Sequence, residues 1–420
     1  MKQLLRYLPL FFLLMAPAAA FAQGEMAVAG SDGLHLFGIR LEFYLFVATL
    51  VGIAFFHHRT LQIALSGLVV ILATKFLTTN FNLAHHLEHE WEILLNLFGL
   101  LLGFAILAKH FEESGVPDRI PRLLPRGWAG PLLLLVLVFV MSSFLDNIAA
   151  AMIGGSIAIV IFRQNVHIGF IAAIVAASNA GGAGSVVGDT TTTMMWIDGV
   201  HPVMLIEAYS ASLVAFLIFG FLASRQQFAL QPVVFDPNAD LRPIRYNKLI
   251  ICLMILAGAI STNILLDFPA AGVWAAILIG ALFAPTPWGE ARHALRGSAF
   301  LLSVVLCASM MPVDELPPAS WQSAFVLGFV SSVFDNIPLT KLALDQSNYD
   351  WGMLAYAVGF GGSITWFGSS AGVAITNLFP EGRHLGKWVR GGWHIIIAYV
   401  AGFFAMLLLF GWNPFDHLKG

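Results

Sequence analysis

The chain has 420 residues, 58% of them hydrophobic and only 11% charged, with a mean hydropathy of +0.82. That composition excludes a soluble core and describes a polytopic membrane protein. The net charge of −3 decides little, because the location of charges matters more here than their sum; Cys252 and Cys307, isolated in apolar runs, read as small apolar fillers rather than a disulfide framework or a metal knuckle.

Residues 1–23, MKQLLRYLPLFFLLMAPAAAFAQ, have a basic start, a short apolar centre and an A-F-A ending. This predicts a secretory signal peptide, residues 1–22, cleaved after Ala22, with the mature N-terminus at Gln23 in the periplasm of a Gram-negative host. Spans of about 20 apolar residues are then expected near 35–56, 61–79, 92–109, 168–197, 202–224, 247–266, 270–285, 298–311, 352–377 and 390–412. Two further apolar stretches, 129–162 and 320–345, each carry an acid–amide pair near the middle, Asp146-Asn147 and Asp335-Asn336. That pattern predicts re-entrant hairpins whose tips enter the membrane and return.

With the N-terminus outside and both hairpins non-crossing, the basic residues fall on one side. Arg59, Lys109, Arg119, Arg122, Arg126, Arg163, Arg225, Arg242, Arg245, Lys248, Arg292, Arg296, Arg383, Lys387 and Arg390 become cytoplasmic, whereas the outer loops hold only Lys419 near the C-terminus, with Arg40 just inside the first span. The positive-inside rule is thereby satisfied, and counting either hairpin as a crossing would spoil it.

The stretch Ser178 to Trp196, SNAGGAGSVVGDTTTTMMW, cannot be an ordinary helix. Each of its glycines weakens a helix by about 1 kcal/mol, and Asp189 bare in lipid would cost several more. Irregular polar backbone at membrane depth survives only against protein or water, so a broken helix forming an ion or substrate site is expected. An internal repeat supports this: SSFLDNI at Ser142–Ile148 matches SSVFDNI at Ser331–Ile337, and GGAGSVVGD at Gly181–Asp189 is echoed by GGSITWFGS at Gly361–Ser369. The predicted fold is therefore all-α, with two inverted-topology repeats at 35–224 and 247–412 joined by a cytoplasmic linker at 225–246. Each repeat has three spans, a hairpin, a broken helix and a final span, and the odd number of crossings inverts the second repeat.

Four interrupted elements then surround one small volume, where carbonyls and side-chain oxygens can ligate a hard cation or helix N-termini can hold an anion. Asp146, Asp189 and Asp335, expected in one cavity, favour a cation. A carboxylate there holds either a proton or a cation, so the two exclude one another and a proton gradient drives exchange. The alternative is a cation- or proton-coupled carrier of a small anion, a di- or tricarboxylate or arsenite; a cavity-facing arginine would favour it, and none falls at the centre of the interrupted elements.

These motifs resemble the NhaD sodium/proton antiporters of the ion transporter superfamily, which also includes arsenite permeases and dicarboxylate carriers. The match covers about residues 35–412 and is most specific in the first broken helix, with Asp335-Asn336 and GGSITWFGSSAGVA at Gly361–Ala374 matching in the second half. The resemblance implies exchange of Na+ or Li+ for H+ across the inner membrane by alternating access. It gives cation and proton roles to Asp146, Asn147, Asn179, Asp189, Thr191, Thr192, Asp335 and Asn336, beside Ser178 of the same motif, and has Ser363, Ser369 and Ser370 line the second broken helix. After the first acid–amide pair this chain departs from the pattern, reading Ala149-Ala150-Ala151 in place of hydroxyl residues. The resemblance also implies a homodimer in lipid. No cofactor is expected beyond the transported Na+, Li+ and H+, and no phosphate loop, nucleophile triad or nucleic-acid patch points to an enzyme or a nucleic-acid partner.

Other charged residues admit plainer readings. Lys341 and Lys75 are candidates to pair with an acid and neutralise the cavity, Lys75 with the alternative of snorkelling outward from a span end. Glu207 is a candidate proton relay or a boundary acid. In NLAHHLEHEWE, expected as an outer loop and span start, His85, His86 and His89 read first as a solvated face, then as a pH-responsive one, with a metal site at His85 and His89 the remaining alternative.

Overall fold

The computed structural model describes residues 33–56, 59–125, 127–234 and 243–415. The predicted signal peptide and residues 235–242 of the linker lie outside the described residues. A two-stranded antiparallel ladder, β1 (His35–Leu36) with β2 (Ile39–Arg40), precedes an otherwise helical chain. The first helices are α1 (Leu41–Phe55), α2 (Thr60–Thr78) and α3 (Leu83–Glu113). A first hairpin, α4 (Ala129–Ser142) and α5 (Asn147–Ile161), is followed by a broken helix, α6 (Ile168–Gly182) and α7 (Thr190–Ile197). A short turn, Pro202–Ile206, leads into α8 (Ala208–Leu230).

The same order of elements returns. Helices α9 (Tyr246–Leu266), α10 (Pro269–Gly280) and α11 (Trp288–Ser309) precede a second hairpin, α12 (Trp321–Ser331) and α13 (Asn336–Gln346). A second broken helix, α14 (Trp351–Gly361) and α15 (Ser370–Leu378), leads through α16 (Leu385–Gly391) to α17 (Trp393–Phe410). Among the described residues six helices, α2, α3, α9, α11 and α17 among them, are long and apolar enough to cross a membrane. The protein is a multi-pass, all-α membrane protein.

Several boundaries differ from expectation. Helix α3 is a single element of 31 residues rather than a span at 92–109. Asn82 caps it, its side chain accepting from the backbone N–H of Ala84 and His85, so the histidine-rich segment forms the first turns of the helix instead of a loop. Helix α11 likewise begins ten residues earlier than expected, at Trp288, with a polar first half carrying Glu290, Arg292 and Arg296. Helix α10, by contrast, has 12 residues and stops at Gly280.

Burial runs from the broken helices outward. Every residue of α6 from Gly169 to Gly182 is buried, as is every residue of α14. The long helices turn large apolar side chains outward instead, Leu77 at 84% and Ile264 at 74% exposure among them, as a lipid-facing surface requires.

Each hairpin lies directly on a broken helix, and glycine permits the approach. A Cβ on Gly181 would stand 2.0 Å from the Phe139 carbonyl oxygen, and one on Gly361 would stand 2.2 Å from that of Gly328. Backbone contact that close leaves no room for a methyl group. Gly181→Ala is therefore expected to force α4 from α6 and to cost about 1–3 kcal/mol or more. A thermal melt of the detergent-purified protein checks this, and an unchanged midpoint would contradict the tight approach.

Candidate functional site

Four helix N-termini converge where the hairpins and broken helices meet, and each is capped by an acid or a hydroxyl. Asp146 Oδ2 accepts from the Ile148 N–H at 3.1 Å at the start of α5, and Asp335 Oδ1 accepts from the Ile337 N–H at 3.1 Å at the start of α13. Asp189 Oδ1 accepts from the Thr191 N–H at 3.3 Å at the start of α7, and Ser369 Oγ accepts from the Gly372 N–H at 3.3 Å at the start of α15. Free N–H groups and the helix dipole make such ends hospitable to a carboxylate. This is the local reason that three acids are tolerated inside an apolar bundle.

An amide chain links the two halves. Asn147 Nδ2 donates to Asn179 Oδ1 at 3.1 Å, and Asn179 Nδ2 donates to Ser363 Oγ at 2.9 Å and Ser369 Oγ at 3.1 Å. All four side chains are buried. Asp335 sits apart from this chain, with Ser370 Oγ donating to its Oδ2 at 3.1 Å.

Other predicted residues tie backbone together. Ser178 Oγ donates to the Val175 carbonyl at 2.9 Å, and its own carbonyl accepts from Ser142 Oγ at 2.5 Å. Thr192 Oγ1 donates to the carbonyls of Ser185 at 2.5 Å and Asp189 at 2.9 Å, closing the break between α6 and α7. Three buried polar atoms of predicted residues have no hydrogen-bond partner among the described residues: Asp189 Oδ2, Thr191 Oγ1 and Asn336 Nδ2.

A cavity of about 350 Å³ opens onto two of the acids. Asp146, Asp189, Thr190 and Thr193 line it together with Ile148, Ala149 and Met152 of α5, and Lys109, Glu112 and Glu290 line it as well. Lys109 is paired with Glu112 at 2.9 Å. Asp335 does not line this cavity, so the expectation of three carboxylates in one cavity is corrected: its hairpin lies on the other broken helix, and Ser370 holds it there. Asp146 and Asp335 each remain near enough to Asp189 for the charges to interact.

The candidate modulators lie elsewhere. Lys341 Nζ pairs with Glu90 at 3.0 Å and Asp345 at 2.6 Å, joining α3 to α13; it neutralises that pair rather than a cavity acid, because its helix carries it past the Asp335 tip. Glu207 sits partly exposed at the junction before α8 and outside the cavity lining. Lys75 lies 5.5 Å over the Phe81 ring. The exposed rings of His85 and His89 meet tilted at 39° with centroids 4.6 Å apart, His86 Nε2 meets Ser309 Oγ at 2.9 Å, and among the described residues no group of three or more histidines, cysteines or acids is placed to hold a metal.

The sequence reading missed the serines before each acid–amide pair. Ser142 and Ser331 both bind a carbonyl of the facing broken helix, the latter at Val358 and 2.7 Å. Their signal was present, since the doublet precedes the pair in both copies of the repeat. Thr193, whose hydroxyl donates to the Val186 and Asp189 carbonyls, was read only as part of the threonine run.

Removing the amide that joins the halves should be costly. Asn179→Ala strands the buried Asn147 amide and two buried hydroxyls, and is expected to destabilise the protein by about 1–3 kcal/mol. A lowered thermal midpoint in detergent, without loss of helical circular dichroism at low temperature, checks this.

Comparison with known proteins agrees with the architecture. The chain is 25% identical over 345 residues to "Sodium/proton antiporter 1" of Arabidopsis thaliana, a match covering 71% of this chain and 58% of that protein. It is 24% identical over 293 residues to "Na(+)/H(+) antiporter NhaD" of Vibrio parahaemolyticus, covering 57% of this chain and 71% of that protein. "Sodium/proton antiporter 2" of Arabidopsis thaliana is 23% identical over 392 residues, covering 79% and 92% respectively. Thus the chain spans little more than half the length of the first of these relatives and most of the other two. Residues 44–361 match the family described as citrate transporter, and the chain belongs to that CitMHS family of membrane transporters.

Proposed function

We propose that the protein exchanges Na+ or Li+ for H+ across the inner membrane of a bacterium by alternating access. The observation that carries this reading is the cavity of about 350 Å³, whose lining acids Asp146, Asp189, Glu112 and Glu290 outnumber its one lining cation, Lys109, itself paired with Glu112. Its size would admit citrate as readily as a hydrated cation. The charge is what separates the two substrates, because a tricarboxylate entering beside Asp146 and Asp189 meets repulsion without an arginine to offset it. The similarity to proteins named as sodium/proton antiporters in a plant and in Vibrio supports the same choice.

Asp189 is the exchanging carboxylate in this reading, with Asp146 beside it in the cavity and Asp335 as a charge nearby. When protonated, Asp189 is neutral and its burial costs little; when ionised, it needs a cation next to it. Proton and cation therefore replace one another at the same oxygen. Two inverted repeats with a periplasmic N-terminus would let the hairpins open alternately to either side. The repeated element order, and the matched serine ties at Ser142 and Ser331, are what support that arrangement.

Everted membrane vesicles containing the protein are expected to dissipate a respiration-generated pH gradient on addition of sodium or lithium. Asp189→Asn should abolish the response. The concentration of sodium giving half the response should rise as the pH falls, because protons compete for the same carboxylate. A cation-insensitive gradient together with labelled citrate uptake would overturn the antiport reading in favour of the anion carrier.

A further inference from the structure

The hydrogen bonds around the two helix breaks correspond pair by pair. Ser142 Oγ donates to the Ser178 carbonyl as Ser331 Oγ does to that of Val358, and Ser185 Oγ donates to the Ser143 carbonyl as Thr365 Oγ1 does to that of Ser332. In this register Ser185 answers to Thr365, which places Asn179 opposite Gly359, Ala183 opposite Ser363 and Asp189 opposite Ser369.

The neighbours of those positions correspond too. Asn179 reaches Ser363 and Ser369 through its amide. A methyl group on Gly359 would stand 3.2 Å from Asp189 Oδ2 and 3.7 Å from Ala183 Cβ, which are the equivalent two residues. One arm of the site thus sets an amide against two hydroxyls, and the other sets a glycine against a carboxylate. The hairpin asparagines follow suit, for Asn147 gives its amide to Asn179 while the buried Asn336 Nδ2 has no partner among the described residues. Asp189, 2% exposed, and Thr191, 0% exposed, share that condition at Oδ2 and Oγ1, and the Thr191 hydroxyl lies beside the Asp189 carboxylate.

Buried polar atoms without partners are costly in an apolar bundle; two of these three lie at the start of α7 and the third at the start of α13, which packs against α7, while the counterpart arm is closed. We infer that Asp189, Thr191 and Asn336, with Gly359 opposite, form the coordination site of a single monovalent cation, and that the Asn179 amide permanently fills its counterpart in the other half. The NH2 group of Asn179 satisfies the oxygens of Ser363 and Ser369 from a fixed position, as a bound cation would. On the Asp189 side the absence of a Cβ at residue 359 lets a cation of sodium size approach Oδ2, with Thr191 Oγ1 adding an oxygen and Asn336, turned about its last torsion, presenting Oδ1. Gly359 is thus the specificity-determining residue of the site. This inference rests on the antiport reading above.

Purified full-length protein in proteoliposomes, titrated with sodium and with lithium, tests it. Gly359→Ala is expected to raise the half-saturating sodium concentration about tenfold, and the value for the smaller lithium ion by less. Gly359→Ser, close in volume but carrying an oxygen, should raise the sodium value by clearly less than Ala does. Thr191→Val should raise it about tenfold while leaving the thermal midpoint unchanged or higher, since the lost hydroxyl has no hydrogen-bond partner to strand. Equal shifts for Ala and Ser would show a packing role for residue 359 and overturn the inference, as would a Thr191→Val variant with wild-type sodium dependence. If neither variant at 359 folds, Thr191→Val decides alone. A wild-type protein without sodium- or lithium-dependent proton movement overturns the antiport reading and this inference with it, whereas an active wild type with unaltered variants overturns the inference only.

Discussion

A carboxylate held inside an apolar bundle needs backbone N–H groups to receive it, and the rest of this structure follows from supplying them. Helices offer free N–H groups only at their N-termini, so a chain that places Asp146, Asp189 and Asp335 in its interior must begin three helices there. The two hairpins and the first broken helix do so, and Ser369 begins a fourth helix without a charge. Glycines at the breaks bring the hairpins onto the broken helices at backbone contact. Serine and threonine hydroxyls then take up the carbonyls that the breaks leave over.

The result is a core inverted with respect to a soluble protein. The most deeply buried helices, α6 and α14, are those that break, and the most regular apolar helices face outward. Rigid apolar helices need only lipid around them, whereas interrupted backbone needs protein on every side. Function and fold therefore make the same demand on the centre of the bundle. The ion pairs of Lys341 with Glu90 and of Lys248 with Glu113 join helices distant in sequence. They stand outside the cavity that holds Asp146 and Asp189.

Membership of a citrate transporter family and similarity to sodium/proton antiporters pull toward different substrates. One architecture serves both, because a helix N-terminus that receives an anionic substrate can equally receive the protein's own carboxylate. The balance is set by which side carries the negative charge. Here the protein carries negative charge at Asp146 and Asp189, and in the antiport reading proposed above the transported species supplies the positive one.

The amino-acid sequence by itself determined that this is an all-α membrane protein and where its helices are interrupted, at the two acid–amide pairs and the two glycine-rich breaks. Those features are written in local chemistry: runs of apolar residues, glycine clusters, and acid–amide pairs that cap helices. It also identified Asp146, Asn147, Asn179, Asp189, Asp335 and Asn336 as residues of the interrupted elements, since few other polar side chains occur in them. Helix ends set by a cap, such as Asn82 before the histidines of α3, escaped it, because apolar counting does not register a polar helical turn. Only the tertiary structure decided which acids share a cavity, that Lys341 answers to Glu90 across 251 positions of sequence, and that Asn179 reaches the second broken helix. It also decided that the glycine corresponding to Asn179 meets Asp189. Those relations depend on how the two halves of the chain pack against one another, and no local spacing encodes them.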